Sequence, residues 1–270
     1  MILEGIIAQS GAFKTLTIQD NDIDINCVAQ LTQLTKRRLP EQLDTLSLLD
    51  CRMAWQTTEK LVKDLNPNSL RTLCLVNVNL NEFSLGTVYS VVQKHKRLVN
   101  LDISSNHLAP RQMRSFLESV SKNRRLQQLS LGWNSVADQK MSEDQQQKVS
   151  ALLGNLIKHN KNLIHIDLTA CGLTNLMMKE LGTHVRRSGS LLGIHLTGNP
   201  GLTAENTQYL SQRIRCRPVE DIERYTFVQN FVSELMRQQP HELKKAIIWR
   251  MRQNKTFHSK YSDPAQKFVL

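Results

Sequence analysis

The chain has 270 residues, 40% of them hydrophobic, enough to bury a sizeable core in one or two domains. Eleven glycines and seven prolines exclude collagen and low-complexity disorder, and no apolar run reaches the ~18 residues of a membrane span. With 35 basic against 24 acidic residues, the net charge of +11 favours contact with something acidic: nucleic acid, a membrane surface or a protein. The opening MILEGIIAQSGA lacks a basic leader and carries Glu4 within its apolar stretch, so it does not read as a secretory signal. Cys27, Cys51, Cys74, Cys171 and Cys216 are odd in number and form no CxxC pair. That disfavours a disulfide framework or a zinc site and fits a reducing, cytoplasmic compartment.

Taken in chain order, one pattern recurs, LxxLxLxxNxL with Ile or Phe sometimes replacing Leu. It reads FKTLTIQDNDI from Phe13, LDTLSLLDCRM from Leu43 and LRTLCLVNVNL from Leu70. It returns as LVNLDISSNHL from Leu98, LQQLSLGWNSV from Leu126, LIHIDLTACGL from Leu163 and LLGIHLTGNPGL from Leu191. The intervals between starts are 30, 27, 28, 28, 37 and 28 residues. Alternating apolar positions within each copy predict a short strand with one buried face. Between copies the period turns helical: Met113, Phe116, Leu117 and Val120 share one face, as do Val149, Leu152, Leu153 and Leu156. Pro110 suits a first helical turn, and Ser142 with Gln145 makes a capping box. One strand and one helix per copy require parallel strands, and stacking buries a continuous core.

The seven copies resemble the leucine-rich repeat family, and the 28-residue period resembles its ribonuclease-inhibitor-like class. The resemblance covers residues 1–217. It implies an α/β solenoid, a curved horseshoe with inner parallel strands and outer helices. The asparagine position holds Asn21, Asn106, Asn134 and Asn199, with Cys51 and Cys171, common substitutes in the family, in two other copies. Val78 departs from the pattern, so its turn should lack a side-chain hydrogen bond.

Three irregularities stand out. The fifth copy is about nine residues longer than its neighbours, with the surplus in ADQKMSEDQQQ, after Val136 and before the helix, where it forms a surface loop or a partner-contacting protrusion. Residues 2–9 read as the outer helix of a repeat without its strand; Met1 either opens a natural half-repeat cap or lies within a longer protein. Past Pro218, apolar residues including Tyr225, Phe231 and Leu235 predict a C-terminal helical cap over 218–252, and residues 253–270, without a sustained period, predict a mobile tail or short docking peptide.

In this architecture the third, fifth, seventh and eighth motif positions line the concave face. Those positions hold four Asp, two His and no Lys or Arg, which argues against a nucleic-acid groove. Trp133 is their only aromatic residue. With Asp102, Asp167, His165, His195, Ser105 and Asp50 it forms the expected partner-binding surface, suited to a basic partner. Basic residues instead gather just before the strands: Arg37, Arg38, Lys96, Arg97, Arg124, Arg125, Lys158, Lys161, Arg186 and Arg187. They either complement helix C-termini or form a rim that contacts anionic surfaces weakly. No nucleophile accompanies the Asp–His neighbours, and no HExxH, GxxxxGK[ST] or GxSxG occurs. The sequence thus predicts no catalysis, no metal and no cofactor. The expected function is a non-enzymatic scaffold for protein–protein interaction. The family resemblance implies as alternatives a small-GTPase regulator like the Ran GTPase-activating protein, or a bacterial effector binding a host protein in the host cytosol.

Overall fold

The computed structural model describes residues 14–36, 43–66, 68–121, 123–138, 140–203 and 205–206. The expected N-terminal half-repeat helix, the cap over 218–252, the tail over 253–270, Arg37, Arg38 and Cys216 lie outside them. The main strands are β1 (Thr15–Gln19), β3 (Thr45–Leu49), β5 (Thr72–Val76), β6 (Asn100–Asp102), β7 (Gln128–Ser130), β8 (His165–Asp167) and β9 (Gly193–His195). They form one seven-stranded sheet in chain order, with every pairing parallel. Parallel neighbours need a crossover, and a helix supplies each one: α1 (Ile25–Lys36), α2 (Trp55–Asp64), α3 (Glu82–Lys94), α4 (Pro110–Val120), α5 (Glu143–His159) and α6 (Asn175–Arg187). A second two-stranded sheet pairs β2 (Asp22–Ile23) with β4 (Arg52–Met53). The arrangement is α/β and compatible with a leucine-rich-repeat-like solenoid.

The register puts the same motif position of successive copies side by side. Leu46, Leu73, Leu101, Leu129, Ile166 and Ile194 make one such row, and all are buried. They share a core with helix residues, among them Leu31, Leu61, Val88, Phe116, Leu153 and Met178. The expected face of α4 is buried throughout, while in α5 Leu152 is only partly buried. Pro110 opens α4, and Ser142 and Gln145 close a reciprocal capping box. The surplus of the fifth copy divides between a short turn and a longer helix: α5 runs 17 residues, against 11 for α4, and begins at Glu143, inside the segment expected to form a loop.

The asparagine position ties each turn to the preceding copy. Asn106 Oδ1 accepts from the Val78 and Leu80 N–H groups, at 3.0 and 3.1 Å, while its Nδ2 donates to the Leu75 and Ile103 carbonyls. Asn134 and Asn199 repeat the pattern. Cys51 and Cys171 copy only the donor half: their Sγ atoms donate back to the Ile18 and Leu131 carbonyls, 3.5 and 3.3 Å away. Burial pushes the Cys171 thiol up to about 12, so it remains an uncharged packing residue. Val78 is buried and its side chain bonds nothing, but its turn is still held, through the Asn106 of the next copy.

A second set of polar groups lies past the helix C-termini, three residues before the motif begins. Asn123 Oδ1 accepts from Arg125 and Leu126 N–H, Asn160 Oδ1 from Asn162 and Leu163, and Ser188 Oγ from Ser190 and Leu191. His95 holds this place in the third copy. Its Nδ1 is buried without a partner, and burial lowers the imidazole to about 4.

Candidate functional site: the open face of the sheet

The side chains turned away from the core lie in rows across the strands. Asp102, Ser130, Asp167 and His195 are register partners in one row, and Asn100, Gln128, His165 and Gly193 in the next. The His165 and His195 rings meet edge-on, with centroids 4.9 Å apart. This face is less open than the sequence implies. Ser47, Gly132 and Gly193 are buried and most of their neighbours half-buried, because parallel strands bring adjacent side chains to about 4.8 Å.

Asp102 and Asp167 do structural work with one oxygen each. Asp102 Oδ1 accepts from Ser104 N–H at 2.9 Å, and Asp167 Oδ1 from Thr169 N–H at 2.8 Å. These local bonds end their strands after three residues. Burial pushes the Asp102 carboxyl above the usual carboxylate range; hydrogen bonds from Ser104 and Ser130 hold part of the rise back, and the charge of Asp167 adds to it.

The eighth motif position forms a separate row with one backbone conformation. Asp20, Asp50, Asn77, Ser105, Trp133 and Ala170 have φ between 51 and 60°, and Gly198 has φ 75°. Each of the six non-glycine residues donates its N–H across to the seventh position of the next copy, as Trp133 does to the Thr169 carbonyl at 2.8 Å. Gly, Asp and Asn adopt left-handed backbone readily, whereas a bulky side chain there is strained by about 1–2 kcal/mol. Trp133 bears that strain and is 60% exposed. Its neighbours in the row, Ser105 and Ala170, are too small to cover the indole.

The expected residues stand at different levels of the strands. Ser105 stands beside Trp133. Asp102 and Asp167 lie three residues upstream of the row, yet the Asp167 carboxylate reaches across to Gly132, the residue before Trp133, with Oδ1 3.4 Å from where a Cβ would stand. His195 stands in the same row as Asp167, and its ring meets that of His165, two residues upstream of Asp167 on β8. Asp50 sits three copies from Trp133, and its Oδ1 accepts from Asn77 Nδ2 at 2.9 Å. Cys74, the one cysteine on this face, is raised to about 11 by burial, with the charge of Asp102 adding, which leaves it a poor nucleophile. Among the described residues no group of three His, Cys, Asp or Glu could hold a metal ion, and no helix is long and apolar enough to cross a membrane.

On the edge past the helix C-termini, Lys96, Arg124, Arg125, Lys158, Lys161 and Arg187 are exposed, while Arg97 is half-buried and pairs with Asp44 at 3.0 Å. Arg186 belongs to α6. Lys158 and Arg187 lie in the last turns of α5 and α6, but Lys96, Arg124, Arg125 and Lys161 follow the caps. Helix-dipole stabilisation fades beyond the last turn, so it does not account for those four.

The sequence also left unmarked an apolar stripe at the helix N-termini. Ile25, Trp55 and Phe83, in the first turns of α1, α2 and α3, are 47, 36 and 66% exposed. The Trp55 and Phe83 rings pack with centroids 5.3 Å apart.

No family model and no curated protein matches this sequence. Among solved structures, a chain titled Leiomodin-1 Actin-Binding Site 2 (ABS2) is similar at 12% sequence identity; the match covers 80% of this chain and 95% of that one, with a TM-score of 0.40.

Proposed function

We propose that this chain is a non-enzymatic protein–protein interaction module. In this reading it is a leucine-rich-repeat horseshoe of the ribonuclease-inhibitor-like class that binds a partner protein on the open face of its sheet, around Trp133. The observation that carries the reading is the conformation of Trp133. An exposed indole held at φ 60° costs folding energy and returns little burial. Strain of this kind collects where a side chain serves recognition, and a presented Trp is a common interface anchor. Asp20, Asp50, Asp102 and Asp167 make the face acidic, which suits a partner with Lys or Arg at its contact surface. The free thiols of Cys27, Cys51, Cys74 and Cys171 support a reducing, cytoplasmic setting.

The test is affinity capture from lysate, identification by mass spectrometry, then calorimetry with the purified partner. Trp133→Ala should weaken binding by ~2 kcal/mol or more. Asp102→Asn and Asp167→Asn remove charge while keeping the oxygen that accepts the turn N–H, and each should weaken binding further. Unchanged affinity in the folded triple variant would refute this site and direct attention to the edge bearing Arg124 and Arg125. Stimulation of GTP hydrolysis by a captured small GTPase would support the regulator reading instead.

A further inference from the structure

Where the strands of the second to fourth copies end, the sheet edge holds a cavity of about 580 Å³. Its wall carries the polar side chains of Asp50, Arg52, Asn77, Asn79, Asn81 and His107, with Met53 contributing an apolar patch. The exposed ring pair adjoins it along the chain, since Trp55 follows Met53 by two residues and Phe83 follows Asn81 by two. The Phe83 backbone N–H donates to Asn81 Oδ1 at 3.1 Å, holding the start of α3 against the cavity wall. Three kinds of binding group therefore lie together.

The first is apolar. Trp55 and Phe83, packed on each other, leave part of their aromatic surface open at 36 and 66% exposure, and such rings attract both apolar groups and cations. The second is charge. Asp50 and Glu82 are exposed, and Asp20 and Asp24 stand on the same edge in the first copy. Arg52, in the cavity wall, makes a two-pronged pair with the exposed Asp22, its Nε donating at 2.6 Å and its second nitrogen at 3.2 Å. Arg111, at the start of α4, is a second cation. The third is backbone-type hydrogen bonding. Helix α2 begins at Ala54 with no side-chain cap, leaving first-turn N–H groups to seek acceptors. The Asn side chains add both donors and acceptors.

We propose that this edge binds an extended peptide segment of a partner protein, one that lays an apolar side chain on Trp55 and Phe83 and carries an adjacent Lys or Arg drawn to the exposed carboxylates of the edge, Asp50 and Glu82 among them. An extended backbone matches the mixed donors and acceptors of the cavity, and the acidic border selects a cation. An acidic peptide would meet Asp50 and Glu82 unfavourably, and a purely apolar one would leave them unpaired. This surface shares Asp50 and Ser105 with the open face but does not include Trp133, so substitution of Trp133 separates the two readings.

The test is selection of a random dodecapeptide phage library on the full chain, followed by fluorescence anisotropy with the labelled winning peptide. Winners should carry Lys or Arg within two residues of an aromatic residue or leucine. Phe83→Ser and Glu82→Lys should each weaken binding roughly tenfold or more, while Trp133→Ala should change it by less than about twofold. Both substituted side chains are exposed, so melting temperatures should match the parent's. If Phe83→Ser alters the fold, Glu82→Lys alone decides. Acid-rich winners, an absence of enrichment, undiminished binding to the edge variants, or loss on Trp133→Ala would each overturn the proposal.

Discussion

Replacing His95 by Asn should stabilise the protein and remove much of its sensitivity to mild acid. The buried imidazole has a folded value of about 4, against 6.5 for an ordinary histidine. The unfolded chain therefore takes up the proton first. Stability from this group is complete above pH 6.5 and falls as pH drops toward 4. A gap of 2.5 units at 1.36 kcal/mol per unit makes the loss as much as about 3 kcal/mol. Asparagine at this place should act as Asn123 and Asn160 do, its Oδ1 accepting from the N–H groups two and three residues on, here Arg97 and Leu98. Two such bonds add about 2 kcal/mol and the smaller side chain gives back about 1, a net gain of about 1 kcal/mol at pH 7. Urea unfolding at pH 7, 5.5 and 4.5, followed by tryptophan fluorescence, compares the two proteins. The stability difference should widen steadily toward low pH. Parallel curves would show that His95 does not stay neutral in the fold, and the reasoning would fail.

Asn106→Ala removes the acceptor for the Val78 and Leu80 N–H groups in a buried turn and should cost about 4 kcal/mol by chemical denaturation, at about 2 kcal/mol for each stranded donor; a loss below about 1 kcal/mol would show those groups satisfied another way. Gly154→Ala should destabilise thermally although alanine favours helix by about 1 kcal/mol, because a Cβ at this position of α5 runs into the His184 ring on α6. Adding His184→Ala should reverse the loss, and a Gly154→Ala protein that melts above the parent would contradict the packing.

The strands and the core were legible because one motif recurs and its leucines have no other place to go. Strand length was less so. The ladder runs five residues in the first three copies and three in the rest. At the seventh position the long strands have Gln19, Leu49 and Val76, while the short ones have Ser104, Gly132, Thr169 and Thr197, with Asp102 and Asp167 turning two of the chains early. The left-handed row was half legible: Asp20, Asp50, Asn77 and Gly198 suit it by type, but Ser105, Trp133 and Ala170 take it only because the neighbouring copies impose the same turn. Trp55 and Phe83 look like core residues in sequence; their exposure follows from their place in the first helical turn, two or three residues past the buried Met53 and Leu80.

The joints between copies are unequally fastened. Asn106, Asn134 and Asn199 stitch theirs with both donors and acceptors, whereas Cys51 and Cys171 donate only, and Val78 contributes no side-chain bond between the second and third copies. Across that joint the side-chain bond from Asn77 to Asp50 is exposed to water. The five-residue ladder between β3 and β5 holds the strands of that joint, so elastic compliance should concentrate in the turn around Val78 and not in the ladder. The same turn borders the edge cavity, so whatever fills the cavity would stiffen the repeat where its side-chain stitching is sparsest.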